Sequence, residues 1–200
     1  MHKNLSRVVV WGHQLLQEVL APGEFAIDLT AGNGYDTLML AQCVAPDGEV
    51  LAFDLQDRAL ANTRRRLDEH GIEICLPSLP EQKVARGVNL IKASHAELDL
   101  WCDRAPRAII GNLGYLPGGD KELVTRPEST LAALESGCRH LAPGGRIALV
   151  VYTGHPGGAT EGCAVDSFFA TLDENEFEVL RLTVANRAQA PYLLVAGRRG

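Results

Sequence analysis

No apolar run in this 200-residue chain approaches the length of a membrane span, so a transmembrane role is not expected. Cysteine supplies neither a disulfide framework nor a zinc signature. The five residues (Cys43, Cys75, Cys102, Cys138, Cys163) are scattered, odd in number and without a C-x-x-C pair. A reducing cytoplasm and no metal are therefore expected. Positive charge is in the minority: 19 Lys and Arg stand against 25 Asp and Glu, a net charge of −6. That argues against nucleic-acid binding over a broad basic face, but leaves room for a local basic patch. The stretch Val8-Val9-Val10-Trp11 is too short for a signal-peptide core. There is no repeat, no low-complexity tract and no sign of a second domain, so residues 1–200 are expected to form one domain with a sizeable core.

What is present centres on Asp28-Leu29-Thr30-Ala31-Gly32-Asn33-Gly34-Tyr35-Asp36-Thr37. The apolar run Phe25-Ala26-Ile27 leads in, and Leu38, Leu40, Ala41 and Val44 lead out at helical spacing. This is a strand, a tight glycine turn and a helix start. Gly32 and Gly34 permit positive φ and close approach of a ligand to the backbone. Free N–H groups at the helix start face the same space, and Asp36 or Thr37 can cap the helix. The G-x-G-x-x-G dinucleotide fingerprint lacks its third glycine here, since Thr37 occupies that place. A carboxylate at Asp28 would repel a phosphate and attract a cation. S-adenosylmethionine carries an ammonium and a sulfonium and no phosphate, so the turn favours it over NAD. A ligand-free structural βα turn is the bland alternative.

Residues 8–20 carry apolar side chains at helical spacing and end at Ala21-Pro22-Gly23, giving an N-terminal helical segment over 1–22. His13 lies in it, either on the helix surface or against donor or substrate. The second apolar run, 49–54, closes on Asp54, about 20 residues after the glycine turn, where α/β nucleotide folds place a ribose-binding carboxylate. Gln56 stands near it. A helix is expected over 57–70. Its Arg64-Arg65-Arg66 run is a solvated face or a phosphate contact. Residues 72–87 show no period and two prolines, and read as an irregular insertion. A third strand over 88–92 leads to Ser94 and His95. They either lie against an adenine or cap a short helix.

The fourth strand ends in Asn112-Leu113-Gly114-Tyr115-Leu116-Pro117-Gly118-Gly119-Asp120-Lys121. Methyl transfer to an amine needs the nitrogen lone pair aimed at the methyl group. The Asn112 side-chain oxygen and the Leu113 carbonyl can accept the two N–H bonds, and Tyr115 can stack on a planar base. Such positioning supplies on the order of 7–11 kcal/mol of a barrier. A helix over 127–140 and a strand over 146–152 follow. A third loop then carries Tyr152, His155 and Glu161, candidates for substrate contact or proton handling. A helix is expected over 163–172. The strands 177–184 and 192–196 pair as a hairpin at the sheet edge, with Arg187 in the loop between them.

The motifs at 28–37, 112–121 and 152–161, with Asp54-x-Gln56 and Ser94-His95, resemble over nearly the whole chain one family, the YtqB-like group. That group carries the name "putative rRNA methylases" and includes the MnmM-type methyltransferases of tRNA wobble uridine. Ala190-Pro191 and the long 72–87 segment depart from its pattern. The resemblance implies an α/β, class I S-adenosylmethionine-dependent methyltransferase fold: a mostly parallel seven-stranded Rossmann-like sheet with an antiparallel last strand and helices on both faces. It implies N-methylation of the 5-aminomethyl group of uridine 34, with or without a 2-thio group, in the anticodon loop of tRNA.

Donor contacts are then expected from Asp28, Thr30, Gly32, Asn33, Gly34, Asp36, Thr37, Asp54, Gln56, Ser94, His95 and Asn112. Substrate contacts are expected from Leu113, Tyr115, Lys121, Arg126, Tyr152, His155, Glu161 and Arg187. Asn112, Tyr115 and His155 carry the catalytic roles. Desolvation beside a sulfonium lowers the pKa of an alkylamine, so a dedicated base is not required, and His155 is the candidate for one. Rival readings are methylation of an rRNA base or a small-molecule amine, and a non-catalytic donor-binding sensor. The chain is expected to be a monomer or homodimer.

Overall fold

A computed structural model describes residues 7–114, 125–187 and 189–200. Its centre is one twisted sheet. The strands are β1 (Phe25–Asp28), β2 (Glu49–Phe53), β3 (Ile74–Cys75), β4 (Gly87–Ile91), β5 (Ala108–Leu113), β6 (Arg146–Val151), β7 (Phe177–Leu182) and β8 (Tyr192–Arg198). They lie in the order β3-β4-β2-β1-β5-β6-β8-β7. All neighbours are parallel except at β8, which runs antiparallel to both β6 and β7. The helices are α1 (Val8–Gln17), α2 (Tyr35–Val44), α3 (Asp57–Asp68), α4 (Leu98–Trp101), α5 (Pro127–His140) and α6 (Gly158–Ala170).

The central strands are buried on both faces, which is why they read as continuous apolar runs rather than alternating ones. Alternate residues go to different layers. Phe25, Ile27, Leu51, Phe53, Ile109, Ile147 and Leu149 pack against α4, α5 and α6. Ala26, Val50, Ala52, Ala108 and Ala148 pack against α1, α2 and α3. The second face is rich in alanine, so its helices sit close. In α1, a Cβ at Gly12 would stand only 3.4 Å from Leu193 Cδ1. Arg146 fixes the other end of α1, donating from Nη1 to the Leu15 carbonyl and the Glu18 carboxylate, both at 2.6 Å.

Three expectations are corrected. The sheet has eight strands among the described residues, not seven. Ile74–Cys75, inside the segment read as irregular, pairs in parallel with β4, and Pro80–Gln82 forms a 3-10 turn. The helix expected over 163–172 starts at Gly158, because Gly157 is left-handed (φ 83°) and caps it. A Cβ at Gly158 would meet the Tyr152 carbonyl at 2.6 Å, so the glycines that suggested a loop permit a tight helix start. Finally, neither Asp36 nor Thr37 caps α2. Gly34 holds that place in the left-handed region, with no side-chain cap.

The 72–87 segment is secured by buried polar groups. Asn89, fully buried in β4, accepts from the Val84 N–H and donates to the Val84 carbonyl, both at 2.9 Å, and donates to Glu49 at 3.1 Å. Lys83 donates to the Trp101 carbonyl at 2.6 Å and pairs with Asp103 at 3.0 Å. Burial raises the Glu49 carboxyl pKa, and Lys83 and Arg104 oppose the shift. Among the described residues no helix is long and apolar enough to cross a membrane. Asn89→Leu keeps the branched outline of the side chain but strands three groups. It is expected to lower stability by about 3 kcal/mol and Tm by roughly 6–12 °C. It should also speed protease cleavage within 76–86. Urea melts and limited proteolysis check both.

Candidate functional site

The three loops singled out from the sequence leave the carboxyl ends of β1, β5 and β6, which lie side by side. Ligands of open α/β sheets bind at that edge. The turn after β1 is braced from below by Asp28, which is fully buried. Its Oδ1 accepts the Thr30 N–H at 3.0 Å and its Oδ2 accepts the Thr37 hydroxyl at 2.6 Å. Asp28 thus shapes the turn from inside. Burial, and next the charge of Asp36, push its pKa up to about 7 from 3.8.

Gly32 (φ 55°) and Gly34 (φ 77°) take left-handed conformations that side chains rarely adopt. A Cβ on Gly34 would stand 2.8 Å from Thr63 Cα, so α3 closes directly on the turn. Thr63 donates to the Gly32 carbonyl at 3.1 Å, Asn62 to the Asn33 side chain at 2.9 Å, and Arg66 Nε to the Asn33 carbonyl at 2.7 Å. The Arg66 guanidinium also lies 3.5 Å above the exposed Tyr35 ring. Sequence reading missed these supports from α3. Only the spacing of Asn62 and Arg66 along one helix face hinted at them.

Asp54 follows β2 beside the turn. Its carboxylate accepts the Gly32 N–H at 3.0 Å and the Gln56 N–H at 2.9 Å, and burial raises its pKa. Leu55, between Asp54 and Gln56, is exposed and offers an apolar surface at the same rim. Ser94 caps a short 3-10 turn by accepting the Ala96 N–H at 3.2 Å. His95 meets the Leu29 carbonyl through Nδ1 at 3.1 Å, and burial lowers its pKa. In the neutral ring Nδ1 donates, which leaves Nε2 as an acceptor. That Nε2 is buried without a hydrogen-bond partner among the described residues.

Asn112 links the strands. Its backbone N–H donates to Thr30 Oγ1 at 2.8 Å, and its side-chain amide donates to Asp36. The other Asp36 oxygen meets His13 Nε2, from α1. Asp28, Thr30, Gly32, Asp36, Thr37, Asp54 and Asn112 are therefore brought into one neighbourhood. The Leu113 side chain is in the core, so only its backbone is available to a ligand. Tyr152 is partly exposed, and burial followed by the Asp36 charge raises its phenol pKa. The His155 ring packs against Gly114 and Gly158, where Cβ atoms would stand 3.4 Å and 2.7 Å from its Nε2.

Glu161 lies elsewhere than expected. It is buried in the first turn of α6, where it accepts the hydroxyls of Thr125 and Thr130, each at 2.7 Å. Thr125 in turn bonds the Gly114 backbone, accepting from its N–H at 2.9 Å and donating to its carbonyl at 3.0 Å. Glu161 thus braces the two ends of the loop instead of facing the cleft. Arg126, before α5, and Arg187, between β7 and β8, are exposed. The Val151↔Tyr192 register puts the β7–β8 connection at the same sheet edge as the other loops. Tyr115 and Lys121 lie outside the described residues.

A cationic nucleoside fits this donor set. Carboxylates and backbone groups surround two glycines in the left-handed region, and among the described residues an acceptor nitrogen at His95 has no hydrogen-bond partner. The raised pKa of Asp28 has a stability consequence. Its folded-state value lies above the unfolded one, so protonation favours the fold. The contribution is complete below pH 3.8 and is lost as the pH rises to about 7. Asp28→Asn removes this dependence. In thermal melts without ligand, the wild type is expected to lose stability relative to Asp28→Asn between those two pH values. Parallel curves would show that Asp28 carries no such proton.

The protein-family model described as "Putative rRNA methylase" matches residues 50–198. Over 192 residues the chain is 35% identical to the "tRNA (mnm(5)s(2)U34)-methyltransferase, chloroplastic" of Arabidopsis thaliana, covering 94% of this chain and 68% of that protein. A crystal structure from Clostridium thermocellum, described as a "putative rRNA-methylase", superposes with a TM-score of 0.86 at 34% identity over 99% of both chains. SMU.1697c of Streptococcus mutans, described as a "putative methyltransferase" in complex with SAH, gives 0.83 at 33% identity over 99% of both chains. A donor-derived product in a relative of that likeness agrees with the cationic-nucleoside fit of the turn. The chain belongs to the "Putative rRNA methylase" family and is an S-adenosylmethionine-dependent methyltransferase of class I fold.

Proposed function

We propose that the enzyme N-methylates the 5-aminomethyl group of uridine 34 in the anticodon loop of tRNA, with or without a 2-thio group, to give the 5-methylaminomethyl nucleoside. The observation that carries this reading is the Asn112 carboxamide, standing at the end of β5 with its amide nitrogen committed to Asp36. Its carbonyl oxygen is the end left for a substrate N–H. The Arabidopsis relative named for mnm(5)s(2)U34 supports the choice of nucleoside.

S-adenosylmethionine, when bound, supplies an electrophilic methyl group on a sulfonium. In this chain Gly32 and Gly34 admit the donor to the backbone, Asp54 accepts ribose hydroxyls, and His95 and Leu55 border the adenine. Asn112 Oδ1 and the Leu113 carbonyl accept the two amine N–H bonds, which aims the lone pair along the line of attack. The N–CH3 bond forms as the S–CH3 bond breaks, and the nitrogen loses a proton. A desolvated amine gives up its proton more readily. His155, whose ring lies against the Gly114 backbone two residues from Asn112, is the acceptor assigned to it in this reading. Tyr115, by its motif, stacks on the uracil. Arg126, Arg187 and Lys121 are the cations assigned to phosphates. A wobble base is already single-stranded, so a few phosphate contacts and one stacked base suffice on an acidic protein. The scattered cysteines suit a cytoplasmic enzyme.

The test is to incubate the protein with S-adenosylmethionine and tRNA bearing 5-aminomethyl-2-thiouridine, then read the digested nucleosides by mass spectrometry. One added methyl is expected. Asn112→Ala should lower the rate by on the order of 100-fold while SAH binding by calorimetry persists. No added methyl with SAH still bound would turn the search to rRNA bases and small amines. For His155, a pH–rate profile decides: His155→Ala is expected to remove the acid limb. An acid limb unchanged in His155→Ala would assign deprotonation to desolvation alone.

A further inference from the structure

Asp36 is the carboxylate through which α1 reaches the end of β5. It is 8% exposed and sits in the first turn of α2. One oxygen meets His13 Nε2, and the other accepts the Asn112 side-chain amide. An ionised carboxylate only accepts hydrogen bonds. Asn112 must therefore turn its nitrogen to Asp36 and its carbonyl oxygen away from it. Asp36 in turn has its plane set by what holds the first oxygen, and that group is His13. The other ionisable groups that act on this pair are Asp28, buried beneath the turn, and the Tyr152 phenol. Among the described residues neither hydrogen-bonds to Asp36. The anchor is also well held, because Arg146 pins α1 to the sheet through Leu15 and Glu18, and Gly12 packs on Leu193.

We propose that His13 is a positioning residue for methyl transfer: through Asp36 it fixes the Asn112 carboxamide in the orientation that presents its carbonyl oxygen to the substrate nitrogen. His13 touches none of the reacting atoms in this account. The inference rests on the amine-orienting role of Asn112 given above. It adds that the first helix is a working part of the site. With His13 removed, Asp36 loses the contact that sets its rotation, and Asn112 follows it. Angular error at an amine acceptor is costly, since loss of alignment by a fraction of a bond length lowers rates severely.

The experiment compares wild type, His13→Ala and His13→Gln. Glutamine can place an amide N–H where Nε2 stands. Thermal melts establish that each variant is folded. Three readouts follow: kcat and KM on tRNA bearing 5-aminomethyl-2-thiouridine, SAH affinity by calorimetry, and the side-chain amide resonances of Asn112 in 15N spectra, assigned by their loss in Asn112→Asp. His13→Ala is expected to lower kcat by about 10- to 100-fold with KM and SAH affinity held. Its Asn112 amide signals should move toward solvent-exposed positions, and His13→Gln should restore both. Unmoved amide signals and an unchanged kcat in folded His13→Ala would overturn the proposal. If wild type leaves this tRNA unmethylated, the substrate reading fails, and the amide signals alone decide the role of His13.

Discussion

A carboxylate with no access to water sits under the ligand-binding turn, and the surrounding geometry depends on it. Asp28 holds the Thr30 N–H and the Thr37 hydroxyl, so the backbone must leave β1, double back and enter α2 around a single side chain. Burying that group is unfavourable for its charged form, and Asp36 nearby makes it more so. The fold tolerates this because the hydrogen bonds are short and local and because the two glycines let the chain turn tightly enough to supply them. Thr30 then carries the order outward by accepting the Asn112 N–H, so the same turn sets the end of β5.

The asymmetry of the two sheet faces matters for the same reason. Large residues on the face toward α4, α5 and α6 make the bulk of the core, whereas alanines on the other face draw α1 and α2 close to the strands. Close approach lets short side chains do the linking. His13, Asp36 and Asn112 belong to a helix, a helix and a strand, yet they form one hydrogen-bonded chain. Had Ala26, Ala52, Ala108 and Ala148 been leucines, the helices would stand farther off and the same three residues could not meet.

The glycine turn, the acid after β2 and the Asn112 loop were legible in the sequence because each is local, a strand running into turn residues and then into a helix. The unread features are of two kinds. Some are too short to show a period: Ile74–Cys75 has two residues, followed by Pro77 and Pro80, which signal irregularity. Others are contacts between distant positions. Asp36 and Asn112 are 76 residues apart, His13 and Asp36 are 23 apart, and Thr63 and Gly32 are 31 apart. Glu161 shows the limit of reasoning from loops. Its place after the carboxyl end of a strand suggested the cleft, but Gly157 and Gly158 let α6 begin early and carry it inward.

β8 lies between β6 and β7 and opposes both. On a ribosome, β7 emerges before β8 and has no edge of its own to join, because β8, its neighbour in the sheet, has not yet been made. The β6 edge, apolar and unpaired, stays open until β8 arrives. Tyr192 to Val195 are buried and supply that closing strand. Assembly of this half of the sheet therefore waits on translation of β8, and the nascent chain is most exposed to unwanted edge pairing before that strand is made.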